Sequence, residues 1–200
     1  MRRDEKPADR GDESKRRARR YRVESEEALK DLALGYVTRF PGSVAHVRRY
    51  LDKKRREAIA LGETTEATSR AWPDGVIATL IRVRLLDDVA YAESRARTLH
   101  RRGRPLRVIE RDLRQRGVSA DDARAALEAL SEAASRPDLA AAIRLARRRR
   151  LGPWADEATR REKREKHLAT LARQGFTFEI ARRVVDAADA DALEALVDMI

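Results

Sequence analysis

A chain of 200 residues of which 40% are charged and only 4% aromatic cannot build one thick apolar core, so thin helical layers are expected. The sequence has no cysteine, which excludes disulfides, iron–sulfur clusters, thiolate zinc sites and cysteine nucleophiles, and indicates the reducing cytosol. Its 45 lysines and arginines against 34 acidic residues leave a net charge of +11, which indicates an anionic partner.

Residues 1–25 predict a disordered basic arm. They hold ten lysines or arginines and six acidic residues, a net charge of 10 − 6 = +4, with little to bury beyond Tyr21 and Val23. The arm is either a mobile tail that seeks phosphates or a solubilising terminus. No apolar segment follows it, so it is not a secretory signal, and no apolar run approaches the roughly 18 residues of a membrane span. We expect no membrane partner.

From Glu26 the apolar spacing predicts a first three-helix repeat over residues 26–86. Ser43 caps its second helix, and the segment 53–71 interrupts the repeat as a helix extension followed by a polar loop. Its third helix begins at Trp72. The predicted core face of the first helix and the third consists of Leu29, Leu32, Ala33, Tyr36, Val37, Phe40, Val76, Ile77, Leu80 and Val83.

A second three-helix repeat is predicted over residues 87–135. Its first helix begins near Asp87 and buries one face, made of Val89, Ala92, Ala96 and Leu99. Pro105 begins the next helix and Gly117 ends it in the left-handed conformation that glycine favours. Ser119 and Asp122 then form a capping pair for a helix that reaches Leu130.

A third repeat with a tail is predicted over residues 136–200. Gly152 and Pro153 end its first helix, a helix of mixed charge continues to Leu171, and Thr177 caps the last regular helix. The tail from Asp189 onward predicts a small helix that folds back.

One short sequence motif occurs twice, and a degraded copy of it occurs once more. Leu113–Gly117 reads LRQRG and Leu171–Gly175 reads LARQG, an offset of 171 − 113 = 58 residues, and a degraded copy surrounds Trp72. Self-similarity at this period is typical of stacked helical units that bury their apolar faces against one another. The sequence therefore predicts an all-α fold of three tandem three-helix repeats in an elongated, curved array, which functions as a binding protein.

Residues that could carry catalysis do not converge. His46, His100 and His167 lie far apart without carboxylates at metal-ligand spacing, and we expect all three to be exposed helix histidines. Asp87 and Asp88 suit a helix start better than catalysis. The glycines match no phosphate-binding loop. We therefore predict a non-enzymatic protein without catalytic residues, metal or other cofactor.

The positive signal is a cluster of arginines between residues 95 and 116, where nine arginines face two acids, a net charge of 9 − 2 = +7. Arg107, Arg111 and Arg114 form a helical stripe, and Tyr91, Arg95 and Arg102 align on the preceding helix. Guanidinium groups bind oxyanions in bidentate fashion, so this face suits phosphates or acidic protein grooves; the alternative is a solvated face without a partner. The candidate partner- or DNA-binding residues are Tyr91, Arg95, Arg102, Arg104, Arg107, Arg111, Arg114, Arg147 and Arg148.

The junction Leu85–Asp88, followed by Tyr91 and Ala92, resembles the hallmark of the RecX family. Arg102–Pro105, the LRQRG phrase and the later LARQGF extend the resemblance over about residues 26–186. The resemblance implies three helical units curved into a crescent, in the bacterial cytoplasm. It also implies a protein that binds in the groove of the RecA–DNA filament, limits filament growth, ATP hydrolysis and strand exchange, and so modulates recombination and DNA repair. We expect a monomer, because a crescent with polar convex residues offers no self-complementary stripe.

Two other functions stay open at this point. Each unit pairs helices across a glycine turn, as a helix-turn-helix does, so the chain could be an autonomous, largely sequence-independent DNA-binding protein. Such a protein would bind DNA without recombinase, and its affinity would fall steeply with salt. A hydrolase or nuclease is disfavoured for want of a site.

Overall fold

The computed structural model describes residues 22–133 and 136–198, and every regular element in these two stretches is helical. The chain divides after Leu86 into two compact units. One unit holds the first repeat, and the other holds the second and third repeats. Each repeat has its own cluster of buried apolar side chains. The predicted all-α fold of tandem three-helix repeats is confirmed. The predicted arm lies outside the described residues up to residue 21.

The first repeat is held by three long helices and a one-turn helix. The side-chain oxygens of Ser25, Ser43 and Thr65 each accept a hydrogen bond from a backbone N–H in the first turn of the helix that follows. The predicted cap at Ser43 is therefore confirmed. Leu29, Leu51 and Leu80 have no exposed surface and form the centre of its core. The helices are α1 (Glu26–Arg39), α2 (Val44–Ala60), α3 (Glu66–Ser69) and α4 (Trp72–Arg82).

The insertion at 53–71 extends α2 and adds α3, and it also binds residues 22 and 23, which precede α1. The Val23 backbone N–H donates to a Glu63 carboxylate oxygen at 2.9 Å, and Arg22 lies 3.6 Å from the same carboxylate. The Val23 side chain is only 2% exposed. The first repeat therefore begins by Val23, earlier than the sequence indicated, because Val23 packs into the core.

Two residues that the sequence placed on the core face of the first repeat are exposed instead. Phe40 is 52% exposed and Val83 is 53% exposed, whereas their neighbours Val37 and Leu80 are buried. Both lie one residue beyond the last turn of a helix, where the chain turns away from the core. That part of the prediction is wrong.

The second repeat follows the predicted pattern closely. Asp87 accepts the Ala90 N–H at 2.9 Å, and Ser119 both accepts the Asp122 N–H and donates to its carboxylate, which confirms both predicted caps. Val89 is the exception: it is 48% exposed, because it lies in the first turn of its helix, off the packed face. The helices are α5 (Asp88–Arg101), α6 (Leu106–Gln115) and α7 (Ala120–Glu132).

The third repeat contains more helices than predicted. The mixed-charge helix that the sequence predicts through Leu171 is broken at Lys163 into two, and the tail helix folds back as predicted, with Leu193 buried. Thr177 caps as predicted. The elements are α8 (Pro137–Arg149), a 3₁₀ turn (Gly152–Trp154), α9 (Glu157–Glu162), α10 (Arg164–Gln174), α11 (Phe178–Val185) and α12 (Ala190–Asp198).

The second and third repeats join through close backbone contact and polar bonds. Gly103 has φ +73°, and a Cβ there would lie 2.9 Å from the Ala141 carbonyl oxygen of α8, so only glycine allows this approach. At the start of α6, the Leu106 N–H donates to Asp138 at 2.7 Å. Because a residue of the third repeat binds the first backbone N–H of α6, the orientation of α6 relative to the third repeat is fixed.

The prediction of exposed histidines is wrong for all three: His100 and His167 are each 6% exposed, and His46 is half-buried. His100 joins the repeats: its Nε2 lies 2.7 Å from the Pro137 carbonyl oxygen. The His167 Nδ1 accepts the Gly152 N–H at 3.1 Å. Burial lowers the pKa of both imidazoles, so they are held in the neutral form that can make these bonds.

Candidate partner-binding surface

The helix α6 separates an apolar face from an arginine face. Ile109 and Leu113 are fully buried in the second repeat, which turns Arg107, Arg111 and Arg114 outward at spacings of four and three residues. All three arginines are exposed, as predicted. We call these three residues the arginine stripe. Together with Glu110 and Gln115 they line a shallow depression of about 380 Å³.

The arginine stripe has one acidic neighbour. Arg114 pairs with Glu110 at 2.7 Å, and this pair is exposed, so water screens it. Within the described residues no ion pair holds Arg107 or Arg111. Planar guanidinium groups at this spacing are suited to several oxyanions in a row, in a phosphate backbone or in an acidic protein groove.

Arg95 does not extend this surface in the way the sequence indicated. It reaches across to α6 and holds both carboxylate oxygens of Asp112, at 2.9 and 3.0 Å. Arg116 binds the same carboxylate at 2.8 Å, and its guanidinium lies 3.4 Å from the Tyr91 hydroxyl. Tyr91 and Arg95 are therefore half-buried, because they brace α5 against α6.

The carboxylate of Asp112 organises this bracing group. Burial alone would raise the pKa of Asp112, but the hydrogen bonds from Arg95 and Arg116 outweigh it and lower that pKa. The same bond raises the pKa of Arg95. The group stays ionised near neutral pH, so the bidentate pair fixes the helix that carries the arginine stripe.

Three of the remaining predicted residues, Arg102, Arg104 and Arg148, lie at the joint between the second and third repeats, and the fourth, Arg147, lies near the last helix, α12. Arg104 is half-buried and donates to the Gln174 side chain at 2.6 Å, and Arg148 donates to the Arg102 carbonyl oxygen at 3.1 Å. Arg147 is exposed and lies 3.5 Å from Glu194. Arg102 and Arg148 are exposed as well. The structure thus brings Arg102 and Arg148 together, while Arg104 holds the repeats in place.

Sequence reasoning missed Asp112 and Gln174, which position arginines rather than contact a partner. Asp112 lies four residues before Arg116, and that spacing could have indicated an internal pair. Gln174 gives no such signal, because it meets Arg104 only through the packing of two repeats.

Neither a metal site nor a membrane span is found in the part of the chain that the structure describes. There, no three histidine or acidic side chains group in a way that could hold a metal ion. No helix there is both long and apolar enough to cross a bilayer.

Comparison with known proteins identifies relatives of this helical chain. The regulatory protein RecX of Myxococcus xanthus is 36% identical over 169 residues, which cover 84% of this chain and 89% of that protein. The chain belongs to the RecX family. The regulatory protein RecX of Agrobacterium fabrum is 34% identical over 157 residues, which cover 76% of this chain and 82% of the relative.

Further comparisons agree with the RecX assignment. The sequence pattern of the second three-helix domain of RecX matches residues 87–127, which contain the arginine stripe. The crystal structure of RecX from Lactobacillus salivarius has the same fold, with a TM-score of 0.57 at 21% identity, covering 88% of this chain and 97% of that one. This RecX-family chain is therefore a member of a family of regulatory proteins, and the resemblance stated from its motifs is confirmed.

Proposed function

We propose that this chain is a non-enzymatic regulator that binds the RecA–DNA filament and inhibits filament extension, ATP hydrolysis and strand exchange. The arginine stripe on α6 is the principal contact in this proposal. Arg102 and Arg148 at the joint extend the contact. Tyr91, Arg95 and Arg104 do not make the principal contact but hold α6 in position. The filament presents both phosphates and protein carboxylates, and guanidinium groups bind either.

The observation that carries this proposal is the difference between two equivalent helices. The 58-residue offset matches Arg107, Arg111 and Arg114 of α6 with Glu165, Ala169 and Ala172 of α10. Both helices bury a leucine in the same motif, Leu113 in one and Leu171 in the other, each without exposed surface. The helix therefore folds without the three arginines, so their presence is better explained by binding than by folding.

The first experiment measures RecA ATP hydrolysis on single-stranded DNA, with the full chain titrated well below the RecA concentration at physiological salt. The test variant changes Arg107, Arg111 and Arg114 to Glu. We expect the wild-type chain to inhibit at these ratios and the variant to lose inhibition while its far-ultraviolet circular dichroism stays unchanged.

A charge-matched control separates the arginine stripe from general basicity. Arg70, Arg173 and Arg183 are exposed arginines outside the proposed contact, and changing them to Glu lowers the net charge equally, from +11 to 11 − 6 = +5. The control variant should still inhibit. Inhibition that survives reversal of the arginine stripe, or that fails equally in both variants, contradicts the proposed contact.

Binding to DNA alone tests the autonomous DNA-binding alternative. A filament regulator inhibits at concentrations that leave bare DNA mostly uncoated. Inhibition that appears only when the protein saturates the DNA would favour the alternative, with an affinity that falls steeply as salt rises.

A further inference from the structure

The first repeat gathers aromatic rings on α1 and α2 that the function proposed above does not use. The chain has only three phenylalanines and four tyrosines, and three of these seven rings meet here. Tyr36 and Tyr50 stack with ring centroids 3.8 Å apart and planes within 8°. Phe40 lies next to Tyr36 at 5.3 Å, tilted by 44°. We call Tyr36, Phe40, His46 and Tyr50 the aromatic platform.

The aromatic platform is held in place from its inner side. The Tyr36 hydroxyl and His46 Nε2 are 2.7 Å apart, and their rings are stacked with centroids 5.8 Å apart. The His46 backbone N–H in turn donates to the Ser43 hydroxyl that caps α2. Tyr50 packs against the buried core of the repeat. A fixed array of rings is a preorganised surface, so a ligand would not have to order it.

Phe40 is the outermost ring of the aromatic platform. It lies at the C-terminal end of α1 and is 52% exposed, and it is not part of the core cluster that Tyr50 contacts. About half of the Phe40 surface stays in water, so the fold leaves one part of this ring, at the edge of a fixed array, uncovered. The uncovered part of the ring is open to a flat ligand that stacks on Phe40.

The surroundings of the aromatic platform are basic. Helix α2 carries six lysines or arginines and two acidic residues, a net charge of 6 − 2 = +4. Lys54 Nζ lies 6.0 Å from the centroid of the Tyr50 ring and pairs with Glu57 at 2.7 Å. Arg39 and Arg49 are exposed and directly precede Phe40 and Tyr50 in the chain. A flat ligand here would therefore carry negative charge.

We propose that the aromatic platform binds single-stranded DNA, with a nucleobase stacked on Phe40 and neighbouring phosphates held by Arg39 and Arg49. Stacked aromatic rings beside cations are the arrangement by which proteins bind single strands without sequence preference. In a duplex both faces of each base are already covered, so the aromatic platform selects unpaired bases. This contact goes beyond the regulation proposed above and does not depend on the arginine stripe, which belongs to the other unit.

The test compares two fluorescent strands of about 20 positions, oligo(dT) and an abasic strand with the same phosphates but without bases. The full chain and the variants Phe40→Leu, Phe40→Ala and Phe40→Trp are titrated by anisotropy. Loss of the ring should weaken oligo(dT) binding at least about fivefold and leave abasic binding unchanged, since one stacked base contributes about that much or more. Phe40→Trp should bind oligo(dT) at least as well as wild type.

A matched control keeps the test specific to stacking. Leu61 is an apolar residue of the same repeat that is 74% exposed, and Leu61→Ala should bind both strands as wild type does. Phe40→Leu keeps an apolar side chain, so the Phe40→Leu and Phe40→Trp pair decides the question even if Phe40→Ala unfolds. Circular dichroism and thermal melting verify the fold of each variant.

Salt dependence tests the phosphate part of the proposal. Changing Arg39 and Arg49 to Gln should lower the slope of log affinity against log salt by about 0.7 for each phosphate that the variant no longer binds. Phe40→Leu should leave the slope unchanged, because stacking releases no counterions. An unchanged slope in the arginine variant would overturn the role of these two arginines.

Other outcomes overturn the inference as a whole. Equal binding of oligo(dT) by wild type and Phe40→Leu removes the stacking contact, and tighter binding of oligo(rU) than of oligo(dT) removes the assignment to DNA. If Phe40→Leu binds oligo(dT) normally but no longer inhibits RecA, the aromatic platform contacts protein instead. The charge reversal of the arginine stripe is scored separately, so failure of this inference is distinguishable from failure of the proposed regulation.

Discussion

The second and third repeats place different side chains at equivalent positions of one helix. Ile109, buried in α6, corresponds to His167, which is also buried in α10, and Asp112 corresponds to Thr170. Asp112 gathers arginines from two helices, whereas the Thr170 hydroxyl donates to the Lys166 carbonyl oxygen in its own helix at 2.7 Å. This fold therefore needs the apolar spacing and the glycine turn, whereas the position of its charged groups differs between repeats. Asp112 joins two arginines in the second repeat, and Asp186 pairs with Arg164 in the third.

Exchanging the surface of α6 for that of α10 is the strongest test of this difference. The variant Arg107→Glu, Arg111→Ala, Arg114→Ala should weaken filament binding by more than about 100-fold, because each charge-assisted contact contributes about 1.5–3 kcal/mol. Its free energy of unfolding should change by less than about 1 kcal/mol, since the ion pair between Arg114 and Glu110 that it removes is exposed. Binding and urea denaturation are measured on the same preparation. Loss of stability together with binding would mean that the arginines serve the fold.

The variant Gly103→Ala tests the close packing between the second and third repeats. We expect a loss of about 2–4 kcal/mol in urea denaturation, because the residue has φ +73° and its new Cβ would meet the α8 backbone. Gly62→Ala is the matched control: Gly62 has φ +71°, but nothing lies within 4 Å of its Cβ position, so strain alone should cost about 1 kcal/mol. Equal losses in the two variants would show that the close approach of the repeats contributes nothing.

Asp112→Thr places the residue of the third repeat in the second. Arg95 and Arg116 lose their shared carboxylate, which should cost about 1–2 kcal/mol at neutral pH, because the pair is only partly buried. Since the folded pKa of Asp112 is lowered, its contribution is complete above its unfolded pKa of about 3.9 and is lost as the pH falls through the folded pKa. Denaturation curves at several acidic pH values should therefore converge for wild type and variant. A gap that stays constant into acid would contradict this role.

The smallest expected effect comes from His167→Ile, which places the residue of the second repeat in the third. Burial lowers the folded pKa of His167, so the unfolded chain, with a pKa of about 6.5, binds protons more readily. Wild-type stability should fall as the pH drops through the unfolded pKa of about 6.5 towards the lower folded pKa, and the variant should show a shallower fall. At neutral pH the variant should lose about 1 kcal/mol, because the Gly152 N–H loses its acceptor. An unchanged pH slope would exclude His167 as a source of it.

Local features of the fold could be predicted from the sequence, and features that depend on packing between helices could not. The caps at Ser43, Asp87 and Ser119 follow from a capping residue at the start of a segment with helical apolar spacing, and the structure has all three. Phe40 and Val89 fit the apolar periodicity yet lie exposed, because each lies at a helix end, where periodicity does not show whether the chain still packs on the core.

The candidate surface divides in the same way. The outward position of Arg107, Arg111 and Arg114 follows from the spacing of buried residues within one helix. The pairing of Arg95 with Asp112 spans two helices, and the bond from Arg104 to Gln174 spans two repeats. The periodicity of one helix contains no information about such partners. The same holds for the aromatic platform, whose rings come from α1, its C-terminal cap and α2.

The bond between Val23 and Glu63 gives the insertion a use. Seen in the sequence, residues 53–71 interrupt a repeat and look dispensable, yet the Glu63 carboxylate accepts a hydrogen bond from the backbone of Val23, a buried core residue. The loop thus holds two segments of the repeat together that are distant in the chain. Shortening this insertion would therefore loosen the far end of the same repeat, about 40 residues away in the chain, and not only the loop itself.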